Sequence, residues 1–146
     1  MKVADIQAGL LAAIQASGLT LKTLRGLSTR DIKEQSGDVV VIAPAVLVVY
    51  AGSEVSARNL TSTLYSDPSQ WDVLVVAEDL SGGAKPAEAA LAMIDTLLAK
   101  LGGLKLTAAS GRGNVELTRI EPVRFENGLA QYAILLTVES DFQTAP

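Results

Sequence analysis

Between Val39 and Ala51 the chain reads VVVIAPAVLVVYA, an apolar, β-branched run broken once by Pro44. Residues of this kind favour a pleated, packed surface. The run also falls well short of the roughly 20 residues that cross a bilayer as a helix. Proline donates nothing to a strand ladder and is confined to strand starts, edges and bulges. The segment therefore predicts one strand before Pro44 and a stronger one from Ala45 to Ala51, at the centre of a sheet. A second segment, Trp71 to Leu80, alternates with period two. Trp71, Val73, Val75 and Ala77 share one face, and Asp72, Leu74, Val76 and Glu78 share the other. Both faces are partly apolar, which calls for cover on each side: helices on one, and a neighbouring subunit on the other.

The other elements follow from periodicity and punctuation. Ile6, Leu10, Ala13 and Ile14 recur at helical spacing, so a helix is predicted from Val3 to about Ser17, ended by Gly18. Thr20 to Leu27 reads as a short extended piece or turn, and Leu27 to Gly37 is polar and poorly periodic. Pro86 suits a first helical turn, Glu88 the positive N-terminal end, Lys100 the negative C-terminal end, and Gly102 and Gly103 the stop. The helix they bound has Ala90, Leu91, Ile94, Leu97, Leu98 and Leu101 as its expected buried stripe. A strand from Leu104 to Ala108 leads into a flexible Ser110–Asn114. Asn127-Gly128, which tolerates positive φ at both positions, predicts a hairpin joining Val115–Phe125 to Leu129–Ser140. In its second arm Tyr132, Ile134, Leu136 and Val138 share a face. Gly52 to Gln70 is rich in Ser, Thr, Asn and Asp and reads as a long loop with Val55, Leu60, Leu64 and Tyr65 as weak strand or helical-turn anchors. Connections of this length in compact domains are usually functional, which makes it a candidate contact arm. The sum is one α+β domain over 1–146, with a small mixed, largely antiparallel sheet, two main helices packed on one face and a C-terminal β-hairpin.

Composition narrows what such a domain does. The chain has no cysteine and no histidine, so thiolate chemistry and the commonest general base and transition-metal ligand are absent. Ser53, Ser56 and Thr63 have no histidine to activate them as nucleophiles. Ser81–Pro86 joins a strand to a helix N-terminus but lacks the spacing of a phosphate-binding loop, and Pro86 removes an amide donor. Ser110–Asn114 likewise resembles a phosphate-friendly glycine loop, although such tips are common without a ligand. Glu78 and Asp79, with Asp31 and Glu34 at a distance, offer carboxylates for magnesium or calcium, but adjacent strand residues point to opposite faces. A metal-dependent phosphoesterase built on Glu78, Asp79 and the Ser81–Gly83 turn is thus the weakest of the functional alternatives. The net charge of −4 and the scattered basic residues argue against sequence-specific nucleic-acid binding. No signal-peptide pattern opens the chain, since Asp5, Gln7 and Gln15 interrupt any apolar region, and synthesis in the cytoplasm is expected. Nearly half of the residues are apolar, 49%, with a mean hydropathy of +0.32 and only 4% aromatic residues. That surplus points to subunit interfaces, which are more apolar when obligate.

The order of elements carries more. PAVLVVYAG, the long polar arm, WDVLVVAEDL, PAEAALAMIDTLLAKLGG and IEPVRFENGLAQYAILLTVES together resemble the tail-terminator family of long-tailed bacteriophages and prophages, in the version of Mu-like phages, similar in fold to the U-type terminator of lambda-like phages. The resemblance spans roughly Val39 to Ser140. It implies a non-enzymatic structural virion protein, made in the host cytoplasm, that forms a hexameric ring. Such a ring caps the tail tube, stops its polymerisation and meets the head-side connector or neck protein. DNA passes through the lumen non-specifically, and neither cofactor nor membrane is involved. A neck or head-closure protein of the same virion is the alternative. On this basis Glu54, Arg58, Asn59, Leu60, Leu64, Tyr65, Trp71 and Arg112 are the expected subunit or tube contacts. Trp71 is weighed mainly as a packing residue.

Overall fold

The computed structural model describes residues 1–27, 42–78, 85–126 and 129–144. In chain order it contains α1 (Val3–Gln15), β1 (Thr23–Leu27), β2 (Ala45–Ser53), β3 (Ser56–Ala57), β4 (Leu64–Ser66), β5 (Ser69–Glu78), α2 (Lys85–Leu101), β6 (Lys105–Ala108), β7 (Gly111–Glu126) and β8 (Leu129–Gln143). One sheet holds all the strands among the described residues. β1 runs parallel to β2 and every other pair is antiparallel, so the sheet is mixed and largely antiparallel, as expected.

β8 is the spine. Leu129–Val138 pairs with β5 along one edge and with β7 along the other, while Asp141–Gln143 continues into β4. The register Glu126↔Leu129 brackets a two-residue connection, the geometry the Asn-Gly dipeptide predicts; the two turn residues themselves lie outside the described residues. β7 follows β8 through two irregularities, between Leu117 and Arg119 and between Pro122 and Arg124. Each adds a residue to the bulged strand and increases its twist.

Both helices cover the same face. Ile6, Leu10 and Ile14 of α1 and Ala90, Met93, Ile94, Leu97 and Leu101 of α2 are buried against Val46, Val48, Trp71, Val73, Val75, Ile134, Leu136 and Val138. Each such aliphatic side chain contributes about 1.5–3 kcal/mol relative to exposure. α2 stops where the glycines predict: Gly103 adopts φ 71°, a left-handed cap, and the Gly102 N–H donates to the Leu98 carbonyl at 3.0 Å.

Several expectations need correction. Leu91 is not in the buried stripe of α2. It is 49% exposed and Met93 is buried in its place, because the stripe is centred on Ala90, Ile94 and Leu97. Gly52–Gln70 is only partly a loop: it holds the end of β2, β3, β4 with the weak anchors Leu64 and Tyr65, and the start of β5. Ser110–Asn114 is not a flexible tip: Gly111–Asn114 is already β7, paired with β6 by the register Ala108↔Gly111. The strand expected before Pro44 does not reach Ile42 and Ala43, which are irregular, and the rest of it lies outside the described residues. Finally, Leu47, Val49, Leu74 and Ala133 on the second face are already buried within the single chain. The apolar texture at those positions therefore requires no neighbouring subunit.

Candidate interaction surface

The surface that gathers most of the expected contacts is built where β3 and β4 meet the end of β8. β4 lies against β8 by the register Leu64↔Gln143, Tyr65↔Phe142 and Ser66↔Asp141. Tyr65 stacks on Phe142 with ring centroids 5.2 Å apart and planes 12° from parallel. Such pairs favour offset, near-parallel contact. Arg58 Nη1 donates to both carboxylate oxygens of Asp141 at 3.0 Å. The two side chains are 54% and 43% exposed, so the pair positions the arm more than it stabilises it, at about 0–1 kcal/mol.

The turn between β3 and β4 is held by side chain-to-backbone bonding. Asn59 Oδ1 accepts the N–H of Thr63 at 2.9 Å and of Leu64 at 3.4 Å, and Asn59 Nδ2 donates to Thr63 Oγ1 at 2.7 Å. The Thr144 N–H donates to the Thr63 carbonyl at 2.8 Å, tying the turn to the chain beyond β8. Ser62 takes φ 53°, a left-handed residue in the turn. Leu60 projects from this framework fully exposed. Local bonds of this kind let a polar segment be ordered without an apolar core.

Arg58 and Arg112, far apart in sequence, are brought to one shallow groove of about 500 Å³, with Ser66, Asn114, Glu139 and Asp141 also lining it. Two guanidiniums and two carboxylates in an open groove fit a polar protein contact. No cluster among the described residues has the donors for a metal ion. Glu54 is exposed in the β2–β3 turn. Of the serine and threonine candidates, the Ser53 and Tyr50 hydroxyls bond to one another, Thr63 belongs to the turn network, and Ser56 is exposed.

Trp71 is a correction, because it has no surface to give a partner. It is fully buried, its indole N–H donates to Ser69 Oγ at 2.8 Å, and Tyr50 packs against it at 5.1 Å. A strand residue on the helix-covered face is core, and here the packing alternative holds. Glu78 is exposed, while Asp31, Glu34, Asp79 and Ser81–Gly83 lie outside the described residues.

Asp67 escaped sequence reasoning. It is 4% exposed at the joint between β4 and β5, where its N–H donates to the Ser140 carbonyl at 2.8 Å and its carbonyl accepts from Ser140 Oγ at 3.3 Å. Its Oδ1 is buried with no hydrogen bond among the described residues. The one available signal was an acidic residue directly before Pro68, which restricts the backbone to extended conformations.

Among the described residues no helix is long and apolar enough to cross a membrane. No protein-family model matches the chain, and no curated protein matches it. The fold is similar to that of a chain in the virion of a native gene transfer agent (GTA) particle, with a TM-score of 0.61 at 15% sequence identity, over 93% of this chain and 94% of that one. At that identity the likeness is one of fold, and it takes in nearly the whole of both chains.

Proposed function

We propose that this chain is a non-enzymatic structural protein of a phage-like virion, and specifically a tail terminator. In this role copies form a ring on the last layer of the tail tube, stop its growth and offer a surface to the head-side connector. The carrying observation is the near full-length fold likeness to a chain of a gene transfer agent virion. The absence of histidine and cysteine agrees with it. So does a surface that presents exposed Leu60 and a groove of mixed charge. A net charge of −4 suits a passage along which DNA slides without adhering.

The test is to delete the gene in its host and image the particles. Overlong tail tubes without heads are expected. Tails of normal length left unattached identify a neck protein instead, and intact particles would falsify both assignments.

A further inference from the structure

Between Ser53 and Ser69 the chain leaves the helix-covered core and returns to it. The two residues face each other across β2 and β5, so the excursion starts and ends at one point of the sheet. Every residue from Glu54 to Ser66 is exposed or half-buried, and none belongs to a buried apolar cluster among the described residues. A break in the ladder marks each end of this arm. On one side the β2–β5 register shifts between Tyr50 and Gly52, where Gly52 takes φ 116°, a conformation open to glycine and rare for other residues. On the other, β4–β8 pairing ends at Ser66↔Asp141 and β5–β8 pairing resumes at Ser69↔Val138. Pro68, which has no N–H to give, lies in the gap. The described contacts that hold the arm against the sheet are the short β4–β8 ladder, the Tyr65–Phe142 stack, the exposed Arg58–Asp141 pair and two backbone hydrogen bonds. In these bonds the Thr144 N–H donates to the Thr63 carbonyl and the Asp67 N–H to the Ser140 carbonyl, each at 2.8 Å.

Asp67 sits at the second break. Its backbone is satisfied by Ser140 in both directions, but its carboxyl is not: the residue is 4% exposed and Oδ1 has no hydrogen bond. A buried polar group left without a partner costs its desolvation in full, and more when it is charged. The ion pair that opposes this cost lies at the surface, where such pairs contribute little. Order within the arm is a separate matter. Asn59 Oδ1 accepts from Thr63 and Leu64, and the Arg58 N–H donates to the Leu64 carbonyl at 2.7 Å. Those bonds join the arm to itself and do not hold it to the sheet.

We propose that the β3–β4 arm is a flap hinged at Gly52 and at Asp67–Pro68, and that the buried Asp67 carboxyl sets it toward opening. Swinging the arm away breaks the Asp67–Ser140 bonds and returns the carboxyl to water, so the closed position carries a penalty that the open one lacks. Opening uncovers Asp141–Gln143, the edge of β8 that β4 covers when the flap is shut. An uncovered edge presents its N–H and C=O groups to any added strand. The arm is thus a guard on that edge, poised to release it by local opening and without unfolding of the core. The device belongs to the single chain and stands apart from the virion assignment.

The test is native-state hydrogen exchange, read by NMR on the full chain. Asp67 and Thr144 are the reporters, since their N–H bonds cross from arm to sheet. Both are expected to exchange through one opening, about 100-fold less protected than β5. High salt, which screens the Arg58–Asp141 pair, should speed both and leave β5 unchanged. Asp67→Asn removes the charge and Asp67→Ala the whole group; each is expected to slow exchange at Thr144 about tenfold. Where the two differ, Asp67→Ala decides, because it leaves no polar group behind. Faster exchange at Thr144 in that variant means that the carboxyl holds the arm shut, and overturns the proposal. The chain has no cysteine, and Tyr65 and Phe142 are directly opposed. A disulfide between Tyr65→Cys and Phe142→Cys should therefore bring Asp67 and Thr144 toward the protection of β5. Opening that persists through this lock overturns the proposal, as does wild-type exchange of both reporters only together with β5. Exchange at Thr144 without Asp67 has the same consequence, since the segment after β8 then frays on its own.

Discussion

Trp71 and Leu60 are both large apolar residues in hydrogen-bonded surroundings, and their exposures are 0% and 106%. Around Trp71 the chain is ordered by area removed from water: two helices lie on one face of the sheet, and Tyr50 and Ser69 occupy the indole's remaining sides. Around Leu60 it is ordered by Asn59, by the Arg58–Asp141 pair and by the Tyr65–Phe142 stack, with no core beneath. Burial of the first kind determines whether the molecule folds. Ordering of the second kind shapes a small piece of surface and leaves its apolar side chain available to a partner. A segment of polar composition can therefore be as well defined as the core while contributing little to global stability.

This contrast breaks first at Trp71. Trp71→Ala is expected to cost about 3–5 kcal/mol, read as a lower denaturant midpoint at unchanged slope; a loss under 1 kcal/mol would mean that the β5 face is not the organising core. Asn59→Ala is next, at about 1 kcal/mol, and the loss is local. Amide exchange at Thr63 and Leu64 should accelerate while the exchange of β5 is unchanged. If β5 responds equally, arm and core unfold as one unit and the contrast is lost. Leu60→Ser is expected to lie within about 0.5 kcal/mol of wild type in unfolding, although it removes the projecting side chain. A large destabilisation would show that Leu60 is covered within its own subunit.

The same division explains what was legible from residues alone. Trp71–Glu78 and Tyr132–Val138 are legible with their faces because a strand's period is two and one face is covered by helices. The Pro86 and Gly102-Gly103 boundaries and the Asn-Gly hairpin are local backbone chemistry, and they were placed for that reason. β3 and β4 were not, since Leu64↔Gln143 and Tyr65↔Phe142 are pairings across most of the chain, invisible to a local window. Gly111–Asn114 reads as a loose glycine tip until β6 supplies its ladder. Leu91 reads as core because periodicity identifies an apolar flank without saying where cover by the sheet ends. Of the contact surface, Arg58, Asn59, Leu60, Leu64, Tyr65 and Arg112 were named as a polar arm and a glycine tip. That Arg58 and Arg112 line one groove depends on β8, which carries the arm on one edge and β7 on the other.

The smallest expected effect tests the second face of the sheet, where neither kind of order is complete. Asp72 lies on that face, and its carboxyl is held above the ordinary value of 3.8, first by burial and then by repulsion from Glu121. Glu121 is itself engaged with Arg119 at 3.2 Å, a pair exposed enough to be strongly screened. An acid whose pKa is raised on folding favours the folded state when it is protonated. Its contribution is fully present below the unfolded value and is lost as pH rises through the folded one. At neutral pH the charged carboxylate is therefore a small liability. Asp72→Asn should raise the thermal midpoint slightly at pH 7, and the difference from wild type should shrink as pH falls through the raised value and wild-type Asp72 is protonated too. Glu121→Gln should act in the same direction more weakly, because repulsion is the lesser cause and the Arg119 pair is lost with it. A lower midpoint for Asp72→Asn at pH 7 would mean that the carboxylate is a needed acceptor, and that this face is ordered by polar contacts as the β3–β4 arm is.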